Sequence, residues 1–274
     1  YNFNMKRKLF FRELDRSAGL IGRYLKNNFT KIYYLLKRKE RHCPNNMAII
    51  FIGTGNYASY FKKYYDSVKK NFLPDTKKTF ICFSDKNISN GSDVIWIKTK
   101  SEKWPFSSLL RYKHLVKNIK LLEKFDYIVY LDADSYVHSE IDEKEFFSSN
   151  KLLFGVQHPY FVNKIGTFDD NKKSLAYVSD KEDKKTYWQA CFWGGETNRV
   201  IKMIKELDKR VGRDLSRRIM AKWHDESYLN KYFIENKSEV HTFHPGYAYP
   251  YNGFWNYKKK IVHGLTKFKK RKDS

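Results

Sequence analysis

Two carboxylates, Asp132 and Asp134, follow the apolar run from Tyr127 to Leu131, with only Ala133 between them. Like charges this close repel each other unless a cation joins them. Carboxylate oxygens suit Mg²⁺ and Mn²⁺, ions that commonly also hold substrate phosphates. The D-x-D pair therefore predicts a site for Mg²⁺ or Mn²⁺, although a polar turn after a strand gives the same pattern.

The residues before this pair belong to a succession of apolar runs and amphipathic stretches. The runs that predict buried strands are "MAIIFIG" (47–53), "TFICF" (79–83), "DVIWI" (93–97) and "YIVYL" (127–131). Residues 54–72 and 107–124 carry apolar side chains at helical spacing and predict helices. Strands of this kind, alternating with helices, predict an α/β fold with a mixed, mostly parallel central sheet. Ligands of such sheets bind beyond the carboxyl ends of the strands, where Asp132 and Asp134 fall.

The second half of the chain has a looser pattern. Residues 151–156 and 190–195 predict two more strands, and Thr197 is expected to cap a helix that runs to Leu207. "DESYLNKYF" (225–233) predicts a short helix with an acidic first turn, which the helix dipole favours.

The net charge of +24 is concentrated at the two ends of the chain. Residues 1–44 carry twelve basic and three acidic side chains, and residues 257–274 carry eight basic side chains and one acidic side chain. We therefore expect three parts: a basic helical extension (1–44), a catalytic domain (45–256) and a basic tail (257–274) that is a possible lid. Basic ends favour contact with an anionic membrane surface, or packing against a partner, over nucleic acid, whose binding would need basic stripes through the fold.

Five motifs along residues 45–250 together resemble glycosyltransferase family 6, the family of the ABO blood-group transferases and the α1,3-galactosyltransferases. In chain order they are "FIGTGNY" (51–57), "SSLLRYKHL" (107–115), "YLDADSYV" (130–137), "YWQACFWGG" (187–195) and "WHDESYLNKYF" (223–233). The last motif is long and unusual, and it carries most of the resemblance. The family implies a Rossmann-like nucleotide-sugar fold, called GT-A, and a reaction that retains anomeric configuration.

The resemblance also implies roles for individual residues. It makes Asp132 and Asp134 ligands of Mn²⁺ bound to UDP, and it places Glu226 beneath the anomeric carbon of the donor sugar. The other residues that it assigns to the donor or nucleotide are Ile52, Gly53, Thr54, Tyr57, Arg111, Ala133 and Asp225. The residues that it assigns to the acceptor and sugar pocket are Gln189, Ala190, Cys191, Trp223 and His224.

The chemistry of the reaction fits these roles. A glycosyl transition state resembles an oxocarbenium ion, so a carboxylate such as Glu226 can stabilise its positive charge or attack as a nucleophile. The leaving UDP gains negative charge, which the metal ion and a base such as Lys267 would neutralise. Arg111 is expected to bridge Asp225 or the sugar hydroxyls.

The C-terminal segment "IVHGLTKFKK" (261–270) is similar to a motif of another retaining group, glycosyltransferase family 8. That similarity implies His263 as a third metal ligand and Lys267 as a partner of the diphosphate. We also expect the tail, which offers little apolar surface, to become ordered over the donor site only when nucleotide binds.

The sequence thus predicts a metal-dependent retaining hexosyltransferase that moves galactose or N-acetylgalactosamine from its UDP-sugar to an oligosaccharide or glycolipid in α1,3 linkage. Polar Gln189 beside small Ala190 favours N-acetylgalactosamine slightly. The alternatives are a family-8-like transferase with another UDP-hexose and, less favoured, a nucleic-acid-binding protein. The expected location is the cytoplasm or the membrane periphery of a bacterial or phage source; an anchor upstream of Tyr1 would instead indicate the Golgi lumen.

Overall fold

The computed structural model describes residues 44–88 and 91–265. The expected basic extension therefore lies almost wholly outside the described residues. The helices and strands are β1 (Met47–Ile52), α1 (Phe61–Asn71), β2 (Lys78–Ser84), β3 (Val94–Lys98), α2 (Phe106–Leu109), α3 (Arg111–Val116), α4 (Ile119–Leu122), β4 (Tyr127–Leu131), β5 (Tyr136–Val137), α5 (Glu143–Phe146), β6 (Leu153–Gln157), β7 (Trp188–Glu196), α6 (Thr197–Ser216), α7 (Asp225–Glu235), β8 (Val240–Phe243), β9 (Tyr249–Pro250) and β10 (Ile261–His263).

The central sheet of the described chain has the strand order β3-β2-β1-β4-β7-β6-β8. β1 pairs in parallel with β2 and β4, β2 with β3, and β6 with β8. β7 runs antiparallel to both of its neighbours, β4 and β6. The predicted α/β class with a mixed, mostly parallel sheet is confirmed, and the arrangement is that of a GT-A-like Rossmann fold.

Both faces of this sheet are covered, which explains why its strands read as continuous apolar runs. In β1, Ala48 and Ile50 join the core on one face, with α6 and α7. Ile49 and Phe51 join the core on the other face, with α1. Because side chains alternate along a strand, a strand covered on both sides needs apolar residues at every position.

The helix predicted over residues 107–124 is interrupted in the structure. It consists of α2, α3 and α4, with breaks at Leu110 and at Asn118. The Asn118 side-chain amide donates to the carbonyl oxygen of His114 at 2.8 Å, and such local side-chain bonds compete with helical ones. The break before α3 puts Arg111 at a helix start, where it is buried rather than solvated.

Two predicted helix boundaries were wrong in detail. α6 runs to Ser216, well beyond Leu207, because apolar residues at helical spacing continue as far as Val211. Thr197 is the first residue of α6 and not its cap, and its buried hydroxyl has no hydrogen-bond partner among the described residues. α7 begins at Asp225 as predicted and extends to Glu235.

The start of the C-terminal tail is anchored, which differs from the expectation that residues 257–274 offer little apolar surface to fix them. Ile261 and Val262 are buried in β10, which pairs with β5 and β9 in a small second sheet. Buried Lys260 donates to Glu145 at 2.6 Å and secures the same segment. Residues 266–274, including Lys267, lie outside the described residues, so the lid remains a prediction.

Within residues 44–88 and 91–265, every helix is too short or too polar to cross a membrane.

Candidate active site

The predicted aspartate pair follows β4 directly. The backbone N–H of Asp132 donates to the carbonyl of Cys191 at 2.9 Å, which continues the pairing of β4 with β7. Tyr130, on the same face two residues earlier, donates its hydroxyl to Asp132 Oδ1 at 2.7 Å. The Asp132 side chain is 30% exposed, so solvent reaches it. The backbone N–H of Leu265 donates to the carbonyl of Asp134 at 3.3 Å, so the C-terminal segment passes beside the pair.

Arg111 connects three parts of the site. Its Nη1 lies 3.1 Å from Asp225 Oδ2 and 3.4 Å from Asp132 Oδ1, and it donates to the carbonyl of Ala190 at 3.2 Å. The guanidinium also lies over the ring of Tyr130, with Cζ 4.8 Å from the centroid. The predicted pairing with Asp225 is present, and it includes Asp132 as well. A single cation thereby holds two carboxylates that would otherwise repel each other.

Glu226 is fixed by two donors, one directly before β7 and one within it. Its Oε1 accepts from the Tyr187 hydroxyl at 2.9 Å, and its Oε2 accepts from the backbone N–H of Ala190 at 3.0 Å. Burial raises the pKa of Glu226 to about 7. The two donors lower this pKa, and the charge of nearby Asp225 raises it. The carboxylate is therefore held in one orientation and changes charge near neutral pH.

The buried side-chain amide of Asn230 joins α7, the helix of Glu226, to β7. Asn230 accepts from the backbone N–H of Trp188 at 2.8 Å and donates to the carbonyl of Trp188 at 2.7 Å. It also donates to the carbonyl of Glu226 at 2.9 Å. Because one side chain satisfies three backbone groups, α7 and β7 have a fixed relative position.

The turn before α7 has an unusual backbone. His224 has φ 52° and ψ −127°, a combination that costs energy for a residue with a side chain. Its ring meets Trp104 edge to face, with centroids 4.8 Å apart. Trp223 is 48% exposed, and its backbone N–H donates to the Ser227 hydroxyl. The turn thus presents Trp223 to solvent directly before the two carboxylates.

The residues assigned to the nucleotide lie at the end of β1. Ile52, Gly53 and Thr54 lead into a 3₁₀ turn, Gly55–Tyr60, in which Tyr57 is 44% exposed. Gly55 has a φ of 59°, and its N–H donates to the Asp85 carboxylate at 2.8 Å, beyond the end of β2. An exposed ring next to exposed turn backbone is suited to a planar base.

Three of the residues assigned to the acceptor and sugar pocket, Gln189, Ala190 and Cys191, lie on β7. The side-chain amide nitrogen of Gln189 lies 3.3 Å from His263 Nε2, and its carbonyl oxygen, Oε1, has no hydrogen-bond partner among the described residues. Ala190 contributes its backbone to the site, through its N–H to Glu226 and its carbonyl to Arg111. Cys191 is buried, and burial raises the pKa of its thiol, so it is a packing residue rather than a reactive one.

The donor set fits a hard divalent cation in part. Such ions bind one or two carboxylates and complete their shell with substrate phosphates and water, which suits Asp132 and Asp134 at an open strand end. No group of three or more His, Cys, Asp or Glu side chains that could hold a metal occurs within 44–88 and 91–265. His263 Nε2 lies 2.9 Å from the carbonyl of Ala248 instead. The described arrangement therefore does not gather His263 with the two aspartates as a third ligand.

Sequence analysis missed several residues that contact this site. Tyr187 and Tyr130 hold Glu226 and Asp132, Asn230 secures α7, and Trp104 packs on His224. Two of them had a local signal: Tyr130 is two residues before Asp132 on a strand, and Asn230 is four residues after Glu226 on a helix, so each pair shares a face. The other contacts join residues that are distant in sequence.

The chain is a glycosyltransferase, and comparison with known proteins places it within that class. Residues 33–272 match the sequence model of glycosyltransferase family 6, so the chain belongs to this family. The family predicted from the motifs is confirmed. Membership of family 6 favours a family 6 glycosyltransferase over both the family-8-like transferase and the nucleic-acid-binding protein.

Three curated relatives illustrate the range of similarity. The O-antigen biosynthesis glycosyltransferase WbnI of Escherichia coli is 32% identical over 195 residues, 69% of this chain and 82% of the relative. Histo-blood group ABO system transferase 1 of Rattus norvegicus is 24% identical, over 66% of this chain and 54% of the relative. Globoside alpha-1,3-N-acetylgalactosaminyltransferase 1 of Homo sapiens is 23% identical, over 71% of this chain and 59% of the relative. The chain thus matches only a little more than half the length of these two animal proteins.

We predict that transfer activity falls as the pH drops below about 7, because the pKa of Glu226 is about 7 and its charged form is the one that stabilises positive charge. The opposite sign applies to stability. The folded-state pKa lies above the usual value of 4.5, so unfolded chains lose this proton first, and the free energy of unfolding falls as the pH rises from 4.5 to about 7.

Rate–pH profiles and urea titrations at several pH values check both statements. In Glu226→Gln the free energy of unfolding should fall less steeply between pH 4.5 and about 7. An activity that is constant from pH 5 to pH 8, in the range where His and raised carboxyl groups titrate, would contradict the role of a titrating carboxylate.

Proposed function

We propose that this family 6 enzyme transfers galactose or N-acetylgalactosamine from its UDP-sugar to a glycan in α1,3 linkage, with retention of anomeric configuration. The observation that carries the proposal is the position of Glu226, held by Tyr187 and by the backbone of Ala190. A carboxylate held in one orientation stabilises an oxocarbenium-like centre, or forms a covalent glycosyl intermediate, more effectively than a mobile one.

Arg111 and Asp225 are proposed to hold the donor sugar. Asp225 is 5% exposed, and its Oδ2 lies at ion-pair distance from Arg111 without a hydrogen bond from any described residue. A buried acceptor without a donor is unfavourable, and a sugar hydroxyl would supply that donor. The hydroxyl would then be oriented by Asp225 while Arg111 keeps the carboxylate charged.

Asp132 and Asp134 are proposed to hold Mn²⁺, or Mg²⁺, together with the diphosphate of the donor. When bound, such an ion neutralises the charge that develops on the leaving UDP. On the protein side, Arg111 limits the repulsion at Asp132, and Tyr130 orients its carboxylate. Lys267, two residues after the segment that contacts Asp134, is proposed as a further partner of the phosphates.

N-acetylgalactosamine is the donor sugar that we favour. The human globoside relative is named as an alpha-1,3-N-acetylgalactosaminyltransferase, and WbnI is named for O-antigen biosynthesis. In this chain, Ala190 is small, and the buried carbonyl oxygen of its neighbour Gln189 has no hydrogen-bond partner among the described residues. An acetamido N–H is a donor of the kind that this oxygen requires.

A donor screen tests the proposal. The full chain is incubated with each UDP-sugar, with and without Mn²⁺, and released UDP is measured. We expect the highest rate with UDP-N-acetylgalactosamine, a lower one with UDP-galactose and little with other donors. Faster turnover of UDP-glucose, or of a donor with another nucleotide, would overturn the proposed substrate class.

We predict that Asp134→Asn removes most transfer activity and most Mn²⁺-dependent binding of UDP and leaves the fold intact. Asp132→Asn should have a similar effect, but Asp132 also contacts Arg111, so Asp134 isolates the role of the metal better. Asp180→Asn, a fully exposed carboxylate elsewhere, is the matched control. Calorimetry of UDP binding with and without Mn²⁺ measures the effect, and full activity of the unchanged chain in EDTA would refute the metal assignment.

A further inference from the structure

Two loops of the described chain expose large apolar side chains to solvent. One loop, 158–165, carries Tyr160 and Ile165, which are 56% and 75% exposed. The other, 251–259, carries Tyr251 and Phe254, and Phe254 is fully exposed. We call these two loops the aromatic rim. Single exposed apolar residues are ordinary on protein surfaces, but a group of them marks a contact site.

Ring packing joins the two loops of the aromatic rim, and both border the active site. The rings of Tyr160 and Trp255 meet edge to face, with centroids 5.1 Å apart. The backbone N–H of His158 donates to the carbonyl of Tyr187, the residue that holds Glu226. The backbone N–H of Tyr251 donates to the carbonyl of His263, whose ring lies beside Gln189. The rim is therefore continuous with residues that border the candidate site.

The charge of the aromatic rim has one sign. Lys164, Lys258 and Lys259 are exposed, and residues 158–165 and 251–259 contain no Asp or Glu. Exposed aromatic rings among lysines, without carboxylates, are typical of surfaces that lie at the boundary between lipid headgroups and acyl chains. An interface with another protein would more often include acidic residues and fewer lysines.

We propose that the aromatic rim binds an anionic membrane surface, with Phe254 at the headgroup–acyl boundary and the three lysines on acidic headgroups. Each basic residue near such a surface adds attraction, and a buried aromatic ring adds a hydrophobic contribution. Docking by the rim would bring the candidate active site close to the lipid surface. If the proposed transfer is correct, which is the assumption of this step, the acceptor is a glycan carried by a lipid.

Binding of the full chain to vesicles tests the membrane contact. Vesicles of phosphatidylcholine mixed with phosphatidylglycerol are compared with vesicles of phosphatidylcholine alone in a sedimentation assay. Phe254→Ser should weaken binding to the anionic vesicles by about tenfold, the scale expected for one buried aromatic side chain. Met220→Ser, which changes another exposed apolar residue outside the rim, is the matched control and should bind as the unchanged chain does. Lys258→Gln with Lys259→Gln should reduce the preference for anionic over neutral vesicles.

A site-specific probe separates this contact from membrane binding by any other segment. An environment-sensitive dye is attached at Phe254→Cys, in a Cys43→Ser background, because Cys82 and Cys191 are buried. We expect a blue shift of its emission on addition of anionic vesicles and no shift for the same dye at Met220→Cys. An equal shift of the dye emission at positions 254 and 220 overturns the proposal, and so does unchanged vesicle binding of Phe254→Ser. If Phe254→Ser instead converts a dimer into a monomer in light scattering, the rim is an interface between copies of the chain.

Turnover of the UDP-sugar without vesicles distinguishes this inference from the proposed function. Phe254→Ser should release UDP at the rate of the unchanged chain, since Phe254 is fully exposed and is not among the residues assigned to the donor. Vesicle binding without any UDP release would refute the proposed transfer and leave the membrane contact standing. If the substitution lowers turnover without vesicles and leaves vesicle binding unchanged, the rim holds a soluble sugar, and the membrane contact is wrong.

Discussion

We expect Glu226→Gln to lower the rate of transfer by a factor on the order of 10² or more, with little change in the affinity for the UDP-sugar. The substitution keeps the shape of the side chain and removes its charge, which matters most when positive charge develops at the anomeric carbon. It also places an amide where Glu226 now accepts from two donors, Tyr187 and the N–H of Ala190. Calorimetry and a UDP-release assay separate binding from turnover.

Glu235→Gln provides a control on the same helix. Glu235 pairs with Arg210 near the surface, and pairs of this kind contribute about 0–1 kcal/mol to stability. Its variant should transfer sugar at the rate of the unchanged chain. Normal turnover of Glu226→Gln would exclude a catalytic role for Glu226, and a product of inverted configuration by NMR would exclude retention.

We expect Arg111→Leu to destabilise the fold by about 3–5 kcal/mol, the range found when one partner of a buried ion pair is removed. Asp225 is 5% exposed, and Arg111 is the cation that keeps its pKa from rising further through burial. The pKa of Asp225 is already raised to about 6 with the arginine present. Without it, Asp225 and Asp132 face each other as buried or half-buried like charges, and UDP-sugar turnover should also be lost.

Urea titrations of Arg111→Leu at pH 5 and pH 8, either side of the Asp225 pKa of about 6, check this mechanism. A carboxyl whose folded pKa is raised is least costly when protonated, so the loss of stability should be larger at pH 8 than at pH 5. Arg199→Leu is the control, because Arg199 pairs with Glu239 at the surface and should contribute no more than about 1 kcal/mol. An unfolding midpoint equal to that of the unchanged chain would show that Arg111 is not the cation that joins the two carboxylates.

The elements of this fold that could be predicted from sequence are those with a local cause. The strand before Asp132 is buried on both faces, so it is apolar at every position, and its end is where a ligand of such a sheet belongs. The start of α7 at Asp225 was predictable for a similar reason, since acidic residues favour a first turn. The short β10 was not, because three residues are too few for a strand pattern.

The contacts of the site lacked such local causes. Arg111 contacts Asp132, Ala190 and Asp225, which stand between 21 and 114 positions later in the chain. Its burial also depends on the helix break at Leu110, which leaves no mark in the apolar spacing of residues 107–124. Tyr187 reaches Glu226 across 39 positions in the same way. Contacts of this kind follow from how the sheet and helices pack, and spacing along the sequence does not record them.

The role of Ala190 has a consequence for how donor preference can evolve. Its N–H holds Glu226 and its carbonyl holds Arg111, so the reaction geometry depends on backbone atoms at this position. Every amino acid except proline carries that N–H. The side chain at 190, and that of its neighbour Gln189, can therefore vary within the limits of space without removing a backbone contact of Glu226. If these two side chains select the donor, as proposed, selection can alter which sugar is accepted while the contacts that hold Glu226 are inherited unchanged.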